Sequence, residues 1–306
     1  MASKIPIIPS SKAGFHCGYV GLCGRPNVGK STLLNRLMGQ KLSIVSRKPH
    51  TTRWHVLGIK SASDHQLIFM DLPGLSQERR NALNRFMHRE VAEGLLAVDT
   101  AIFIIEALKW TPADDYVLQN LAEVDYPVFA VINKVDRVKD KSRLLPFIEE
   151  VAAKYAFESI VPLSARHDNT QELEQALVQC MPEQPALFPE DQLSDRHERF
   201  FIAELLREQL IRHLGQEVPY RLTVTIEDMK EEAHLVHIHA LIWVENKGQK
   251  AIVIGDDGGH LKQVASAARQ SMQSFLDRRI NLKTWVKVRD KWTNDNRSLH
   301  EFGYYS

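Results

Sequence analysis

The chain has 306 residues, 39 Lys and Arg against 38 Asp and Glu, and a formal charge of +1, with 44% hydrophobic and 25% charged residues. That length suits two ordinary domains, and the composition is that of a soluble chain able to bury a core. A near-zero net charge argues against a protein that coats nucleic acid or membrane through bulk charge, although it leaves room for a local basic patch. Cys17, Cys23 and Cys180 are odd in number and show no CxxC spacing, which reads as reduced thiols rather than a disulfide framework or a zinc site. No stretch approaches the length of a membrane span, and residues 1–14 lack the charged and apolar regions of a secretory signal. The expected location is the cytoplasm.

In chain order, residues 18–23 predict a strand and 30–38 a helix that Gly39 can end. Residues 54–59 and 66–70 predict two strands around a turn at Ser63, Asp64 and His65. Continuous apolar runs at 101–105, 128–132 and 160–163 suit strands buried on both faces. Helical patterns over 84–97, 113–123, 143–155 and 170–180 lie among them. Strand–helix alternation of this kind predicts an α/β domain with a doubly wound, mostly parallel sheet. Composition then shifts, with Pro182, Pro185 and Pro189 marking a semi-rigid linker. Beyond it come a helix over 199–214, strands over 221–227 and 235–244, a glycine-rich turn at 255–259, a helix over 261–278 and a strand over 281–289. This is a small α+β domain of order α-β-β-α-α-β. The predicted division is a tail at 1–14, a first domain at 15–181, a linker at 182–198 and a second domain at 199–306.

Gly24, Arg25, Pro26, Asn27, Val28, Gly29, Lys30 and Ser31, followed by Thr32, fit G-x-x-x-x-G-K-S between a predicted strand and a predicted helix. Glycines let such a loop wrap phosphates with its N–H groups, and the helix N-terminus adds positive potential. Lys30 is placed to reach the β and γ phosphates, and the Ser31 hydroxyl to ligate Mg²⁺. Asp71, Leu72, Pro73 and Gly74 follow an apolar strand; Asp71 suits water-mediated magnesium binding, and Gly74 can donate its N–H to the γ phosphate. Asn133, Lys134 and Asp136 close the fifth strand. Asp136 can accept two hydrogen bonds from guanine that adenine cannot supply, Lys134 can lie along the base, and Asn133 can tie this loop to the phosphate loop. Ser164, Ala165 and Arg166, after the sixth strand, can offer a backbone N–H to the guanine oxygen. All four elements fall at strand C-terminal ends, where α/β sheets bind ligands. The reading is a GTP/GDP site, with Lys30, Thr52 and Gly74 as the groups closest to catalysis.

These elements resemble the G1, G3, G4 and G5 motifs of translation-factor-related GTPases, and the stretch Pro49, His50, Thr51, Thr52, Arg53 narrows the resemblance to the Era family. The resemblance implies Thr52 as the switch ligand of magnesium, with Thr51 second. It also makes Asn27 a potassium ligand, since Leu75 stands where other GTPases place a water-orienting Gln.

Gly255, Asp256, Asp257 and Gly258 lie between an apolar run ending at Ile254 and a predicted helix, and look like the G-x-x-G loop of a KH domain. Trp285, Val286, Lys287 and Val288, then Trp292 and the end at Phe302, Gly303 and Tyr304, are similar to the KH domain that ends Era proteins. The implied architecture is a P-loop GTPase domain followed by a type II-like KH domain. The implied partners are the 3′ end of 16S ribosomal RNA and the 30S subunit during its maturation, bound by a monomer associated peripherally with the inner membrane. Ile254, Gly255, Gly258, Lys262, Arg269 and Lys287 are the candidate RNA contacts. From 260 to 297 nine basic residues face three acidic ones, a net of +6. Asp256 and Asp257 depart from the neutral or basic pair usual in the family, and they favour an alternative in which the KH-like module docks on a protein. His237 and His239 share one strand face and read as half-buried strand residues rather than metal ligands.

Overall fold

The computed structural model describes residues 14–46, 48, 51–75, 81–215 and 218–304. The chain divides into two compact units. Among the described residues the first holds 14–43, 52–75 and 88–195, and the second 44–46, 48, 51, 81–87, 196–215 and 218–304.

The first unit is built on a six-stranded sheet of order β2-β3-β1-β4-β5-β6. The strands are β1 (His16–Cys23), β2 (Val56–Ser61), β3 (His65–Asp71), β4 (Thr100–Glu106), β5 (Val128–Asn133) and β6 (Ser159–Leu163). Only the β2–β3 pair is antiparallel. β5 is buried along its whole length and β4 along all but its last residue, because helices cover both sheet faces and leave no solvated side to alternate with. The helices are α1 (Lys30–Met38), α2 (Ala82–Leu96), α3 (Pro112–Leu121), α4 (Leu144–Ala152) and α5 (Gln171–Gln179). Two apolar clusters, one on each face, contain Phe103, Ile105 and Ile132 on one side and Leu33, Phe69 and Val131 on the other. The chain runs from β1 to one side of the sheet and returns to β4 on the other, so the crevice for a ligand opens above β1 and β4.

Residues 182–195, read from the sequence as linker, pack on the first unit. Cys17 N donates to Pro182 O, Gln184 N to Phe15 O and Ile59 N to Leu193 O, all within 3.1 Å. Gln66, fully buried on β3, accepts from Leu187 N and Phe188 N and donates to Phe188 O. The prolines end the helix as expected, but a buried amide from a distant strand gives their neighbours the backbone partners that a free linker finds in water.

The second unit pairs a three-stranded sheet with helices on one face. α6 (Glu198–His213), α7 (Lys247–Ile254) and α8 (Gly259–Leu276) precede or separate β7 (Leu222–Glu232), β8 (Leu235–Val244) and β9 (Arg279–Val288), and α9 (Asn296–Glu301) closes the unit. The sheet order is β7-β8-β9, with β8 antiparallel to β7 and parallel to β9. Along β8 the buried Val236, Ile238, Ala240 and Ile242 meet Leu206 and Leu210 of α6 and Val264, Ala268 and Met272 of α8. This strand alternates, as one covered and one open face requires. His237 and His239 lie on the open face as half-buried strand residues, and no cluster of metal-ligating side chains occurs among the described residues.

Candidate functional site

The phosphate loop turns away from β1 at Gly24, where φ is +151° and a Cβ would lie 2.5 Å from Ile104 O of β4. It enters α1 at Gly29, where φ is +110° and a Cβ would lie 2.2 Å from Asn133 Nδ2. Side chains at these two positions are excluded by conformation and by space together. Between them Asn27 adopts a left-handed φ of 66°. Asn133, buried at the end of β5, donates from Nδ2 to Val28 O at 2.8 Å and accepts from Ala165 N at 3.0 Å. One amide thus joins the phosphate loop to both candidate base-binding loops, the joining role predicted for it. Gly74 approaches the loop closely, since a Cβ there would sit 2.9 Å from Pro26 Cα.

Lys30 Nζ donates to Gly24 O at 3.0 Å and Arg25 O at 3.1 Å. Burial pulls its pKa down to about 8, against the attraction of Asp71. The amine is therefore held inside the loop's curve, where incoming phosphate oxygens can replace the two carbonyls.

Ser31 Oγ donates to Asp71 Oδ2 at 2.7 Å and lies 2.9 Å from Thr52 Oγ1. Asp71 is fully buried, and burial pushes its carboxyl pKa up against hydrogen bonds from Ser43 and Ser31 and the charge of Lys30. Its Oδ1 is buried without a hydrogen-bond partner. An orphaned carboxylate oxygen beside two hydroxyls is a set of hard oxygen donors, and it fits magnesium. The residues predicted for that ion, Ser31, Thr52 and Asp71, are brought together. Thr51 Oγ1 instead donates to Lys48 O at 2.7 Å, which separates the two threonines the sequence left open. Pro49 and His50 lie outside the described residues.

At the candidate base-binding side Asp136 accepts from Ser164 Oγ at 2.7 Å, and that hydrogen bond lowers its pKa. It is thus a carboxylate acceptor at neutral pH. Ser164 N donates to Asp168 Oδ2 at 2.7 Å, which shapes the loop around Ala165 and Arg166. Lys134, in a left-handed conformation, donates from Nζ to Asn27 O and to Glu106 Oε2, both at 2.8 Å. Leu72 is buried and Leu75 is 4% exposed among core side chains, so neither takes part in water chemistry. Ser43, which donates to Asp71 at 2.6 Å, and Glu106 were not predicted. Glu106 follows Ile105 directly at the end of a buried strand and was legible as a polar interruption.

In the second unit, Gly255 has φ 71° and Gly258 φ 74°, and Asp257 between them is left-handed at 51°. A Cβ on Gly255 would lie 2.5 Å from His260 Cβ. The loop joins α7 to α8, and both Asp256 and Asp257 are exposed. Ile254 ends α7 half-buried beside the loop. Lys262 and Arg269, seven residues apart, form one exposed stripe on α8. Lys287 does not join them. It pairs in register with Trp243 and lies over that indole at 5.7 Å, on the sheet face opposite the buried Val286 and the helices. Strand alternation is the reason, and it sets Lys287 apart from the stripe on α8.

Residues 19–134 match the family described as 50S ribosome-binding GTPase, and residues 217–293 match the KH domain family. The GTPase Era of Coxiella burnetii is 49% identical over 290 residues, 94% of this chain and 98% of that protein. The GTPase Era of Azotobacter vinelandii is 47% identical over 94% of this chain and 96% of its own length. The chain belongs to the Era family. Among solved structures, a point variant of Aquifex aeolicus Era bound to GDP·AlF₄⁻ is 36% identical with a TM-score of 0.91, over 95% of this chain and 100% of that one. Era in complex with MgGDPNP and nucleotides 1506–1542 of 16S ribosomal RNA is similar to the same extent. As an Era protein this chain is a GTPase, and its two units carry the P-loop GTPase and KH folds expected from the sequence. No helix among the described residues is long and apolar enough to cross a membrane.

Proposed function

We propose that this Era-family GTPase is a switch that binds the 3′ end of 16S ribosomal RNA through its KH unit and acts in maturation of the 30S subunit. The observation that carries the nucleotide half is the cluster of half-buried Ser31 and Thr52 around the buried Asp71, with its one orphaned carboxylate oxygen. Ser31, Thr52 and Asp71 would hold magnesium there, where it would offset the negative charge of the phosphates. Lys30 exchanges two loop carbonyls for phosphate oxygens, and the Gly74 N–H, kept close to Pro26, follows the γ phosphate. Asp136, with Lys134 and the loop at Ser164, Ala165 and Arg166, selects guanine. Asn27 would hold potassium, whose charge would do the work that an arginine finger does in other GTPases. Ile254, Gly255 and Gly258, with the Lys262–Arg269 stripe, support single-stranded RNA binding, since glycines let the backbone approach phosphates closely. The protein works as a monomer, in the cytoplasm or peripherally on the inner membrane.

The test is binding of a labelled RNA spanning the nucleotides seen in the relative's complex, with the chain loaded with GDPNP or GDP. The expected outcome is binding at least tenfold tighter in one nucleotide state, weakened by Lys262→Ala/Arg269→Ala. Absence of binding in both states at low salt removes the RNA reading and leaves the exposed Asp256 and Asp257 to a protein partner.

A further inference from the structure

Asp114 is fully buried on α3, a helix with none of the nucleotide motifs. Its first task is local. At the third position of the helix it accepts from Thr111 N at 2.9 Å and Thr111 Oγ1 at 2.7 Å, closing a capping box. Its second task is not local. Arg25 of the phosphate loop donates from Nε to both carboxylate oxygens, at 3.1 and 2.9 Å, and Arg25 is itself only 9% exposed. A cap needs one neutral acceptor; it does not need a buried charge. Burying an ion pair is costly, and an apolar pair of the same size often serves stability as well. The pair is therefore explained by where it lies.

It lies at the start of the phosphate loop, directly after Gly24. The carbonyl of Arg25 accepts from Lys30 Nζ at 3.1 Å. Arg25 Nη2 makes no hydrogen bond and faces Glu106 Oε2 at 3.7 Å. The same Glu106 oxygen accepts from Lys134 Nζ, which also holds Asn27 O, both at 2.8 Å. Asp114, Arg25, Glu106 and Lys134 thus form a chain of alternating charge that leaves the loop at residue 25 and returns to it at residue 27. Burial works against the Glu106 carboxylate, but the hydrogen bond and charge of Lys134, with Lys109 and Arg25, hold its pKa below the usual range.

We propose that Asp114 is a positioning residue for GTP, which acts through Arg25 to fix the phosphate loop and through Glu106 to keep Lys134 seated on it. This rests on the GTP site as read above. With Asp114 neutralised, Arg25 is left to compete with Lys134 for Glu106. Removing one partner of a buried pair is far more disruptive than removing both, so the effect appears as a looser loop and faster nucleotide loss.

The experiment measures release of a fluorescent GDP analogue, KM for GTP and the melting temperature in the full chain. The variants are Asp114→Asn, Arg25→Met, the two combined, and Thr111→Val. Asp114→Asn keeps an acceptor for the cap. We expect it to speed release at least tenfold and raise KM similarly, with Arg25→Met alike. The double variant should release no faster than Arg25→Met alone, because both act through one contact. Thr111→Val should lower the melting temperature while release stays within twofold. Unchanged release in Asp114→Asn, or effects that multiply in the double variant, overturn the proposal. If Asp114→Asn does not fold, Arg25→Met against the double variant decides it. Asp136→Asn in the same assay separates the two levels: retained preference for guanine there refutes the site reading itself, whatever Asp114 does.

Discussion

The two glycine loops of this chain share a vocabulary and differ in support. The phosphate loop at 24–31 is clasped from other elements, by Asn133 and Lys134 at the end of β5, Asp114 on α3 and the close pass of Gly74. The loop at 255–258 is held by its two flanking helices and by its own left-handed residues, and it presents its middle pair to water. A site that must hold triphosphate charge in a fixed geometry is rigid before the ligand arrives, which is how buried donors are worth more than exposed ones. A site that grips a flexible polymer can take its shape from local backbone, and it tolerates residues that the buried site would reject.

That contrast is broken most directly at the buried site. Asp136→Asn removes two charge-assisted hydrogen bonds to guanine, roughly 1.5–3 kcal/mol each. GTP affinity should fall about a hundredfold or more, with preference moving toward xanthosine nucleotide, as read by competition against fluorescent GDP. ATP bound as tightly as GTP by the wild type contradicts the assignment.

At the exposed loop the expected effect is smaller and of opposite sign. A carboxylate about 5 Å from an RNA phosphate costs roughly 1–3 kcal/mol before salt screening, for a dielectric between that of water and about 20. Asp256→Asn/Asp257→Lys should therefore raise affinity for the rRNA 3′ end about tenfold and steepen its salt dependence, as titrations at two salt concentrations would reveal. Tight wild-type binding with no gain shows that both side chains turn away from the RNA.

The smallest effect sharpens the account of the phosphate loop. With the buried Leu75 unable to orient water, turnover should be slow and several-fold faster in KCl than in NaCl. Asn27→Ala should abolish the difference. Equal rates in the two salts remove potassium from the mechanism.

Much of this was legible in the sequence, because motif residues sit at strand ends and strands announce themselves by apolar runs. The lysine, serine and aspartate that the structure brings together were readable from spacing, and the contact of Asn133 with the loop at Val28 was expected because its motif implies a neighbour. Arg25 was also read as part of the loop, but nothing near it in sequence names Asp114, 89 residues away. The capping pattern Thr111-Pro112-x-Asp114 was itself readable; its second role was not. Gln66 illustrates the same limit, since an amide inside a strand gives no hint that residues 187 and 188 will close over it.

The sequence by itself determined which elements form and which chemistry they carry. Hydrophobic period, glycine and proline placement, and the order of motifs are local properties that survive without knowledge of the fold. Tertiary structure alone decided which buried charges meet, which of two threonines touches Ser31, and which sheet face takes Lys287. Those outcomes depend on strand register and sheet order, which bring residues far apart in the chain within about 3 Å, hydrogen-bonding distance. A single chain carries no record of that proximity beyond the need that each buried polar group find a partner.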